Sequence, residues 1–553
     1  MKTMTGYPLP LGTSVKDDSV NFSVAVESGK KCNLCIYKHG EQTPKFIIEL
    51  LEEDALGEVR YVAIPKMEVE DMEYNYEIDG QNIIDPYVKS VVECGSVTRG
   101  KILIDEYDWE GDKPLCLPYH EVIAYNIHVR GFTMHKASKV KNKGTFAGVA
   151  EKIPYLKELG INQIQCMPVY AFEETVHYKN YWGYGDAHCF ALKNAYASDA
   201  NAEKEFKDMI KACHKNGIEV VLYLPFTDKV SKQLIEECLR YYVMEYHIDG
   251  FILNPYNAPM NSIVSDPILK KTKILEYKDD FQNNMRSFLI GNEGAVQGVM
   301  WWVKQITKDI GCCNYIANHT GFTLHDLVSY NEKHNEANGE NNFDGPDANF
   351  SWNCGAEGPT RKKTVLELRQ RQMRNAMFLL IMSQGTPCIL AGDEFANSQN
   401  GNNNVYCQDN EIAWLDWRKL EKEKAFFDYV KALIELRRKY TVIGIDKPLL
   451  GVDKTSCGVP DVSFHGKEAW QIPNQMSSKH LGVYYHHADG TDCFIAYNMH
   501  EEEQTFALPA LRKGKDWYLV VTTEEEQIGE EKVVNNQREA TLSGRTIHMY
   551  IGK

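Results

Sequence analysis

The segment His247-Ile248-Asp249-Gly250-Phe251-Ile252-Leu253-Asn254 lies near the middle of the chain and predicts a buried strand. Its apolar run ends at one polar side chain, Asn254, and Pro255 then interrupts the strand. Barrel folds place functional side chains where their strands end in loops. Because Asn254 carries an amide and not an acid, the segment raises the question of whether such a site would be chemically active.

Strands and helices alternate on both sides of this segment, from about residue 115 to about residue 440. Thr145 can cap a helix in which apolar residues recur at helical spacing until Gly160 ends it. Near-continuous apolar runs such as residues 218–224 are typical of strands in parallel sheets, which are buried on both faces. We further predict strands at 123–129, 161–169, 272–275 and 386–392, and helices at 203–214, 362–383 and 421–439. This alternation predicts an α/β fold, a (β/α)8 TIM barrel with long loops.

Short β-rich segments with turn signals lie on either side of the predicted barrel. Residues 20–26 and 74–78 indicate a small antiparallel sandwich before it. Residues 481–485, 493–497 and 517–521 indicate a second one after it. The sequence therefore predicts three domains, an N-terminal β-sandwich at 1–112, the barrel at 113–442 and a C-terminal β-sandwich at 443–553.

Charge and hydropathy narrow the range of partners. The 553 residues include 61 Lys and Arg against 77 Asp and Glu, which gives a net charge of −16. Such a surface repels phosphate groups, so nucleic acid and membranes are poor partners, whereas neutral polyols are not excluded. No run of about 18 apolar residues occurs, and the first residues show no apolar signal segment. We expect a cytoplasmic protein.

The cysteines and histidines indicate neither a metal site nor a cofactor. Fifteen cysteines, an odd number, are scattered through apolar segments, which is typical of reduced, buried thiols. Cys32 and Cys35 form a single C-x-x-C pair within a predicted strand, with no second pair to complete a zinc site. His486 and His487 precede Ala-Asp-Gly, a pattern that indicates a hairpin turn before it indicates a metal site.

Specific motifs occur along nearly the whole chain. Gly6 to Gly12 and Asp85-Pro86-Tyr87 lie in the first predicted domain, and Asn180-Tyr181-Trp182-Gly183-Tyr184 lies in the barrel. Further motifs follow late in the barrel and beyond it, at 321–324, 341–342, 351–355, 391–395, 402–411 and 458–466. Together they resemble the α-amylase superfamily (glycoside hydrolase family 13), in its debranching branch of isoamylases, pullulanases and bacterial glycogen debranching enzymes. The resemblance implies that residues 1–112 are a glycogen-binding module.

The resemblance implies a retaining glycosidase site at the carboxyl ends of four barrel strands. Such a site needs two carboxyl groups about 5 Å apart, one as nucleophile and one as general acid/base. The superfamily adds a third acid that stabilises the transition state, an Arg two residues before the nucleophile, and two His that bind the same sugar.

At the aligned positions most of these groups are missing. The family pattern Gly-Phe-Arg-Phe-Asp is here Gly250 to Asn254, so Asn254 stands at the nucleophile position and Ile252 at that of the Arg. An amide cannot form the glycosyl ester. Thr320 replaces the transition-state acid. Residues 223–228 replace a segment that carries an Asp and a His, and Tyr223 stands where that Asp is expected.

Glu276 is the candidate for the general acid. The strand at 273–275 continues directly into Glu276 and a segment that, in the family, follows a long loop. We infer that this loop is deleted, and Glu276 matches the later segment better than it matches the catalytic acid.

The surviving motifs carry sugar-binding chemistry. Tyr181, Trp182 and Tyr184 offer aromatic faces for a sugar ring, and His319 can donate a hydrogen bond to a hydroxyl group. We predict these four as substrate-binding residues, with packing as the alternative role. The loop at 402–411 is predicted to hold the barrel against the C-terminal domain.

Three hypotheses follow, and whether the chain is an enzyme stays open among them. The first, which we favour, is a catalytically inactive debranching-enzyme homologue that binds α-glucan (glycogen, starch or maltooligosaccharide) or a partner protein. The second is an active α-1,6-glucosidase that uses displaced carboxylates such as Glu276, Asp228 or Asp249. The third is a regulator that pairs with an active homologue.

Overall fold

The computed structural model describes residues 2–16, 18–94, 97–104, 106–175, 178–199, 201–276, 278–308 and 310–553. The first part of the chain forms two antiparallel sheets, with strand orders β1-β2-β5 and β4-β3-β6-β9-β8, and β7 paired to β6. Their strands are β1 (Gly12–Lys16), β2 (Ser19–Ala25), β3 (Cys32–Lys38), β4 (Phe46–Glu49), β5 (Val59–Pro65), β6 (Met72–Ile78), β7 (Gln81–Ile83), β8 (Val91–Cys94) and β9 (Val97–Lys101). Cys32 and Cys35 are both buried in β3, which confirms the strand prediction for the C-x-x-C pair.

The middle part alternates strands and helices around one parallel sheet. Its elements are β10 (Ala124–Ile127), α1 (Val129–Thr133), α2 (Phe146–Glu151), α3 (Ile153–Leu159), β11 (Gln163–Cys166), β12 (Tyr170–Phe172), β13 (Ala187–Leu192), α4 (Ala202–Lys215), β14 (Glu219–Leu224), α5 (Lys232–Tyr246), β15 (Gly250–Leu253), α6 (Met260–Ser265), β16 (Lys273–Glu276), α7 (Asp280–Leu289), α8 (Ala295–Trp302), β17 (Ile310–Gly311), α9 (Leu324–Leu327), α10 (Lys363–Ile381), β18 (Cys388–Leu390), α11 (Arg418–Lys422) and α12 (Lys424–Lys439). β12 and β13 form a separate antiparallel pair.

The last part forms a six-stranded sheet of order β19-β20-β21-β26-β23-β24 and a two-stranded sheet of β22 and β25. The strands are β19 (Val462–His465), β20 (His480–His486), β21 (Asp492–Asn498), β22 (Gln504–Ala507), β23 (Trp517–Thr522), β24 (Lys532–Val533), β25 (Glu539–Leu542) and β26 (Thr546–Gly552). The predicted turn after His486 is confirmed, because β20 and β21 pair as an antiparallel hairpin.

The parallel sheet is curled and has seven strands in the order β17-β16-β15-β14-β11-β10-β18. Eight strands were predicted. Between β16 and β17 the described residues form α7 and α8 without a strand between them, so one β/α unit of the expected pattern is not found there. The prediction failed at this point because helical periodicity in one segment does not report whether a strand precedes it.

Local signals explain the boundaries of the helices near β11. The hydroxyl of Thr145 accepts a hydrogen bond from the Gly148 amide and caps α2, as predicted. Gly160 ends α3 with a positive φ of 96°. Pro154 lies in the first turn of α3 and has no N–H, so the one helix predicted here is divided at Lys152 into α2 and α3.

The strand of the opening segment is shorter than predicted, since β15 begins only at Gly250. His247 ends α5 in a left-handed conformation with a φ of 54°. Asp249 then lies at the amino end of the strand, where its buried carboxylate accepts hydrogen bonds from the Leu115 and Val220 amides, both at 2.7 Å. Its other close partner is the Nε2 atom of His214 at 2.9 Å. These contacts give Asp249 a structural role at the end of the sheet opposite to the strand-end loops.

Alternation along the strands divides their side chains between the interior of the curled sheet and the surrounding helices. Glu219 and Lys273 point inward and form a buried ion pair of 2.5 Å. Gln163 donates a hydrogen bond of 2.8 Å to the same Glu219 carboxylate. Burial disfavours the charged carboxylate and raises the pKa of Glu219, although Lys273 opposes that shift.

The parallel sheet and the C-terminal sheet are joined through α10. The buried guanidinium of Arg374 donates a hydrogen bond of 2.9 Å to the Thr523 carbonyl. The Asn375 side-chain amide donates one of 2.9 Å to the Arg545 carbonyl. Within the residues that the structure describes, no helix has the length and apolar character needed to cross a membrane.

Candidate active site

The register of the parallel sheet brings the predicted site residues to one edge. Tyr223 pairs with Ile252 between β14 and β15, and Leu253 pairs with Glu276 between β15 and β16. Asn254 follows β15 directly and Glu276 is the last residue of β16, so both lie at the same edge of the parallel sheet.

Apolar and aromatic side chains pack together on the inner face of the sheet at this edge. Ile252 is buried in a cluster with Leu275, Cys313 and Tyr315, and Tyr223 packs against that cluster. Ile252 and Tyr223 stand where the family pattern has an Arg and an Asp. The interior at these positions is therefore an apolar contact between neighbouring strands.

Asn254 is exposed and its amide takes part in the turn that follows β15. The Oδ1 atom accepts a hydrogen bond of 3.0 Å from the Tyr256 amide. The backbone carbonyl accepts from the amides of Asn257 and Ala258, at 3.1 and 3.0 Å. Asn254 thus acts as a turn residue of the kind that Asn and Asp commonly form.

Glu276 lies beside the nucleophile strand, but its side chain is directed away from the interior. Lys273 and Leu275 occupy the inner face of β16. Alternation therefore places Glu276 on the outer face. There its carboxylate pairs with the Lys278 ammonium at 2.5 Å, and this hydrogen bond raises the pKa of Lys278.

The other two displaced acids lie at opposite edges of the sheet. Asp228 is exposed in the loop after β14. Asp249 lies at the amino end of β15, at the opposite edge from Glu276. Since a retaining site needs its two carboxyl groups about 5 Å apart, Asp249 and Glu276 do not form such a pair.

His319 lies in a group of aromatic rings above the Tyr223 cluster. Its Nε2 atom is 2.6 Å from the Tyr184 hydroxyl, and its ring meets the edges of Trp182 and Tyr223 at centroid distances of 5.3 and 5.4 Å. Burial lowers the pKa of His319 to about 3. The ring is therefore neutral at physiological pH.

Thr320 takes part in a local turn, at a position where the family pattern has an acid that contacts the sugar. Its amide and its hydroxyl both donate to the Oδ1 atom of Asn318, at 3.0 and 3.1 Å. A hydroxyl at this position cannot supply the negative charge that the family uses against the developing positive charge of the sugar.

Tyr181 and Trp182 are both buried, with 5% exposure each. The Tyr181 ring stacks on His128 at a centroid distance of 3.9 Å. The Nε2 atom of His128 lies 2.8 Å from the Tyr181 carbonyl oxygen, and burial lowers the pKa of His128 to about 4. Sequence reasoning gave His128 no role, although it lies in the motif of the first barrel strand.

The loop at 402–411 holds neighbouring loops together at this edge. Asn403 bonds to Asn335 and Asn349, and the Tyr406 carbonyl accepts from the Tyr181 amide at 2.8 Å. Its hydrogen bonds run to loops of the parallel-sheet region. The predicted contact with the C-terminal domain is therefore wrong, since the polar partners of these loop residues are Arg130, Trp414 and residues within 178–184 and 335–349.

An ion-pair group strengthens the same attachment. The buried Asp409 carboxylate forms ion pairs with Arg130 at 3.0 Å and with Lys179 at 2.7 Å. It also accepts a hydrogen bond of 2.9 Å from the Trp414 indole. Burial opposes the charge on Asp409, but these partners outweigh it and lower the pKa of the carboxyl group.

The space left beneath the aromatic rings is small. A cavity of about 50 Å³ is lined by Asn126, His128, Trp182 and His319, among others. Sites for drug-sized ligands measure about 300–1,000 Å³, and one water takes about 30 Å³ of liquid. In this conformation the cavity has room for water but not for a sugar ring.

Comparisons with known proteins agree with this architecture. A family model described as the α-amylase catalytic domain matches residues 127–227. Isoamylase 1 of Arabidopsis thaliana, a chloroplastic protein, is 30% identical over an alignment that covers 94% of this chain and 84% of that protein. The glycogen debranching enzyme of Erwinia tasmaniensis is 29% identical, with 81% and 86% covered.

The fold has close counterparts among solved structures. A pullulanase from Paenibacillus barengoltzii, solved with maltohexaose and α-cyclodextrin, has a TM-score of 0.77 at 17% identity and covers 98% of this chain and 95% of that one.

The alignment with the Arabidopsis protein runs over 679 positions, more than the 553 residues of this chain, so that relative carries segments that are missing here. Such length differences are consistent with the deletion inferred next to Glu276. Identity and coverage together are sufficient to assign the family. The chain belongs to the α-amylase superfamily of glycoside hydrolases, in its debranching branch of isoamylases and glycogen debranching enzymes.

Proposed function

We propose that this chain is a catalytically inactive debranching-enzyme homologue that acts in α-glucan metabolism by binding, either to α-glucan or to a partner protein. The observation that carries the proposal is that Ile252 is buried in a cluster of apolar and aromatic side chains at the strand ends and that Tyr223 packs against this cluster. These are positions at which the family's chemistry needs an Arg and an Asp. Apolar side chains at these positions cannot orient a nucleophile by hydrogen bonds, and they cannot stabilise charge that develops on the sugar.

The magnitude of the loss supports inactivity over slow turnover. Loss of one member of a catalytic group that acts as a unit already costs orders of magnitude in rate. Here Asn254 and Thr320 replace two acids, and Glu276 is paired with Lys278 on the outer face of β16. The residues at the aligned positions therefore do not supply the nucleophile and acid that a retaining site needs.

The finer architecture is part of the same proposal. We infer that the curled sheet closes into a barrel, and a parallel bridge between Asn314 and Pro387, next to β18, supports closure. We also propose that the flanking sheets pack as sandwiches, with domains at 1–112, 113–442 and 443–553, and that the protein is cytoplasmic.

Glucan contact is proposed at the rim of the site and not inside the small cavity. The structural neighbour solved with maltohexaose is the precedent for oligosaccharide binding on this fold. Tyr181 and Trp182 are covered by other side chains, whereas Tyr256, two residues after Asn254, is 94% exposed. An exposed aromatic ring can stack against a sugar face. Tyr184 and His319 remain proposed sugar contacts that need movement of the surrounding rings.

Calorimetry with maltooligosaccharides, combined with a reducing-sugar assay on glycogen and pullulan, tests the proposal. We expect no turnover by the wild-type protein or by Asn254→Ala, because the amide has no nucleophilic role. Turnover that Asn254→Ala abolishes would overturn the proposal of inactivity.

The binding arm uses a matched pair of exposed aromatic residues. Tyr256→Ala should weaken any measured glucan affinity by about tenfold, near the upper end of the ~0.5–1.5 kcal/mol that one aromatic contact contributes. Trp470→Ala, which removes a half-exposed ring of the C-terminal domain, should leave the affinity unchanged. If calorimetry detects no heat of maltooligosaccharide binding to the wild-type protein, the result favours binding to a partner protein over binding to glucan.

A further inference from the structure

A second group of interacting side chains lies in the C-terminal part of the chain. The Sγ atom of Cys457 is 3.5 Å from Nε2 of His486. The other ring nitrogen, Nδ1, is 2.7 Å from Oδ1 of Asp492. The imidazole therefore lies between a thiol and a carboxylate, the arrangement that activates nucleophilic cysteines.

Two paired strands fix the histidine and the aspartate. His486 is the last residue of β20 and Asp492 is the first residue of β21, and the two residues face each other in the antiparallel ladder. Both side chains are buried. The ring is thus held in one orientation by the hairpin, without any ligand.

Neighbouring groups set the protonation of the imidazole. A guanidinium nitrogen of Arg512 lies 3.3 Å from Nε2 of His486. Because a guanidinium can only donate, Nε2 is an acceptor and the ring proton is on Nδ1, where Asp492 accepts it. Nε2 has a single lone pair, which therefore accepts from one of its two neighbours at a time, the Arg512 guanidinium or the Cys457 thiol.

Asp492 is kept charged by further donors. Lys515 donates a hydrogen bond of 2.8 Å to one carboxylate oxygen of Asp492, and the Tyr484 hydroxyl donates one of 2.6 Å to the other. Burial opposes the charge, but these hydrogen bonds and that of His486 outweigh it and lower the pKa of Asp492. A charged Asp492 stabilises the imidazolium that forms when His486 takes a proton.

Cys457 itself is accessible. It is partly exposed in a loop whose adjacent residues, Ser456 and Gly458, are exposed. The Asp453 carboxylate accepts from the Cys457 and Gly458 amides at 3.1 and 2.6 Å, which orders the loop and adds a negative charge near the thiol.

Other cysteines of the described chain have different surroundings. Burial raises the pKa of Cys166 and of Cys313 to about 12, which keeps these thiols protonated and inert. Cys116 is exposed, and burial of part of its side chain raises its pKa. It is 3.8 Å from the Lys271 carbonyl oxygen and provides an exposed thiol for comparison.

We propose that Cys457 is a reactive thiol that forms a mixed disulfide with low-molecular-weight disulfides of the glutathione type. His486 accepts the thiol proton at Nε2, and the Cys457 thiolate attacks one sulfur of the disulfide. A new S–S bond forms as the old one breaks, and the departing thiolate takes the proton back from Nε2. The exposed Arg512 guanidinium, 3.3 Å from Nε2 of His486, can pair with a carboxylate of the incoming disulfide. This site is independent of the proposed glucan function.

Treatment of the folded protein with oxidised glutathione, followed by peptide mass spectrometry, measures the rate at each cysteine. At pH 7 we expect Cys457 to react about tenfold or more faster than Cys116, and the two rates to converge in denaturing urea. Equal rates in the folded protein would overturn the proposal.

Variants and pH then separate activation from simple exposure. His486→Gln should slow Cys457 about tenfold while Cys116 keeps its rate, and circular dichroism checks the fold. If that variant unfolds, the wild-type pH profile decides. Between pH 8 and pH 6 an unassisted thiol loses about tenfold in rate per pH unit, whereas Cys457 should lose clearly less. Parallel pH profiles for Cys457 and Cys116, or an unchanged rate in a folded His486→Gln, would contradict activation by His486.

Discussion

At the scale of single residues, Ile252 makes apolar contacts at a position where the family pattern has an Arg. Its side chain packs against Leu275 and Tyr315, so the position now contributes apolar contact between β15 and β16. In the family pattern a guanidinium stands here and is balanced by acids. Neither acid is retained at the aligned positions, so restoring the Arg alone would bury an unpaired charge.

We therefore expect Ile252→Arg to lower the free energy of unfolding by about 3–5 kcal/mol, the usual cost of an uncompensated buried charge. Urea-induced unfolding followed by circular dichroism measures the change. Ile252→Leu is the matched control and should cost less than about 1.5 kcal/mol, because volume and polarity are conserved. An arginine variant as stable as the control would show that a counter-charge or water reaches this position.

At the scale of elements, the aromatic segment 178–184 depends on the loop at 402–414. Asp409 links the two through Lys179 and also binds Arg130 and Trp414. The attachment determines where Trp182 and Tyr184 stand relative to His319. It is therefore the element contact that shapes the rim of the candidate site.

We expect Asp409→Asn to accelerate amide hydrogen exchange in 178–184 by about tenfold or more, because an amide keeps the Trp414 hydrogen bond but loses both ion pairs. Hydrogen exchange with mass spectrometry reports the change segment by segment. Asp416→Asn is the control, since Asp416 pairs mainly with the exposed Arg418. Equal protection of 178–184 in wild type and Asp409→Asn would mean that the backbone bonds alone hold the segment.

At the scale of the whole molecule, Glu531 connects the parallel-sheet region to the C-terminal sheet. Lys439, at the end of α12, lies 2.6 Å from its carboxylate, and the Tyr440 hydroxyl donates 2.5 Å to the same oxygen. Burial opposes the charge, but hydrogen bonds from Lys439, Lys553 and Tyr440 outweigh it and lower the pKa of Glu531 to about 2.

The sign of the pH dependence follows from this lowered pKa. The ordinary value is 4.5, so the stabilisation is fully present above that pH and is lost as the pH falls toward 2. We expect Glu531→Gln to cost about 1 kcal/mol at pH 7, a modest value because the pair is partly exposed, and only a small fraction of that at pH 2, where the carboxyl group is largely neutralised. Urea unfolding at several pH values measures this.

Glu530→Gln, a change at the exposed neighbouring residue, is the control for loss of one negative charge. It should leave the free energy of unfolding nearly unchanged across the same range. A Glu531→Gln deficit that persists at pH 2 would show that the carboxyl contributes by packing and not by its charge.

Several features could be predicted from the sequence because they depend on local order along the chain. Alternation and capping predicted most of the strands and helices, and the pattern around Gly250 to Asn254 predicted that the nucleophile and its Arg are replaced. These inferences need only which residues occur and at what spacing. The family assignment has the same basis, since a motif is defined by the order of residues along the chain.

Tertiary structure decided the features that depend on direction or on contacts between distant segments. Glu276 ends a strand beside Asn254, yet strand alternation turns its carboxylate outward to Lys278, and Asp249 lies at the other end of β15. The seven-stranded count and the approach of Cys457 to His486, 29 residues later, arise only when separate elements pack together. Sequence therefore determined the family and which residue types stand at its motif positions, and folding decided which of these groups meet, because side-chain direction and proximity are set by packing in three dimensions.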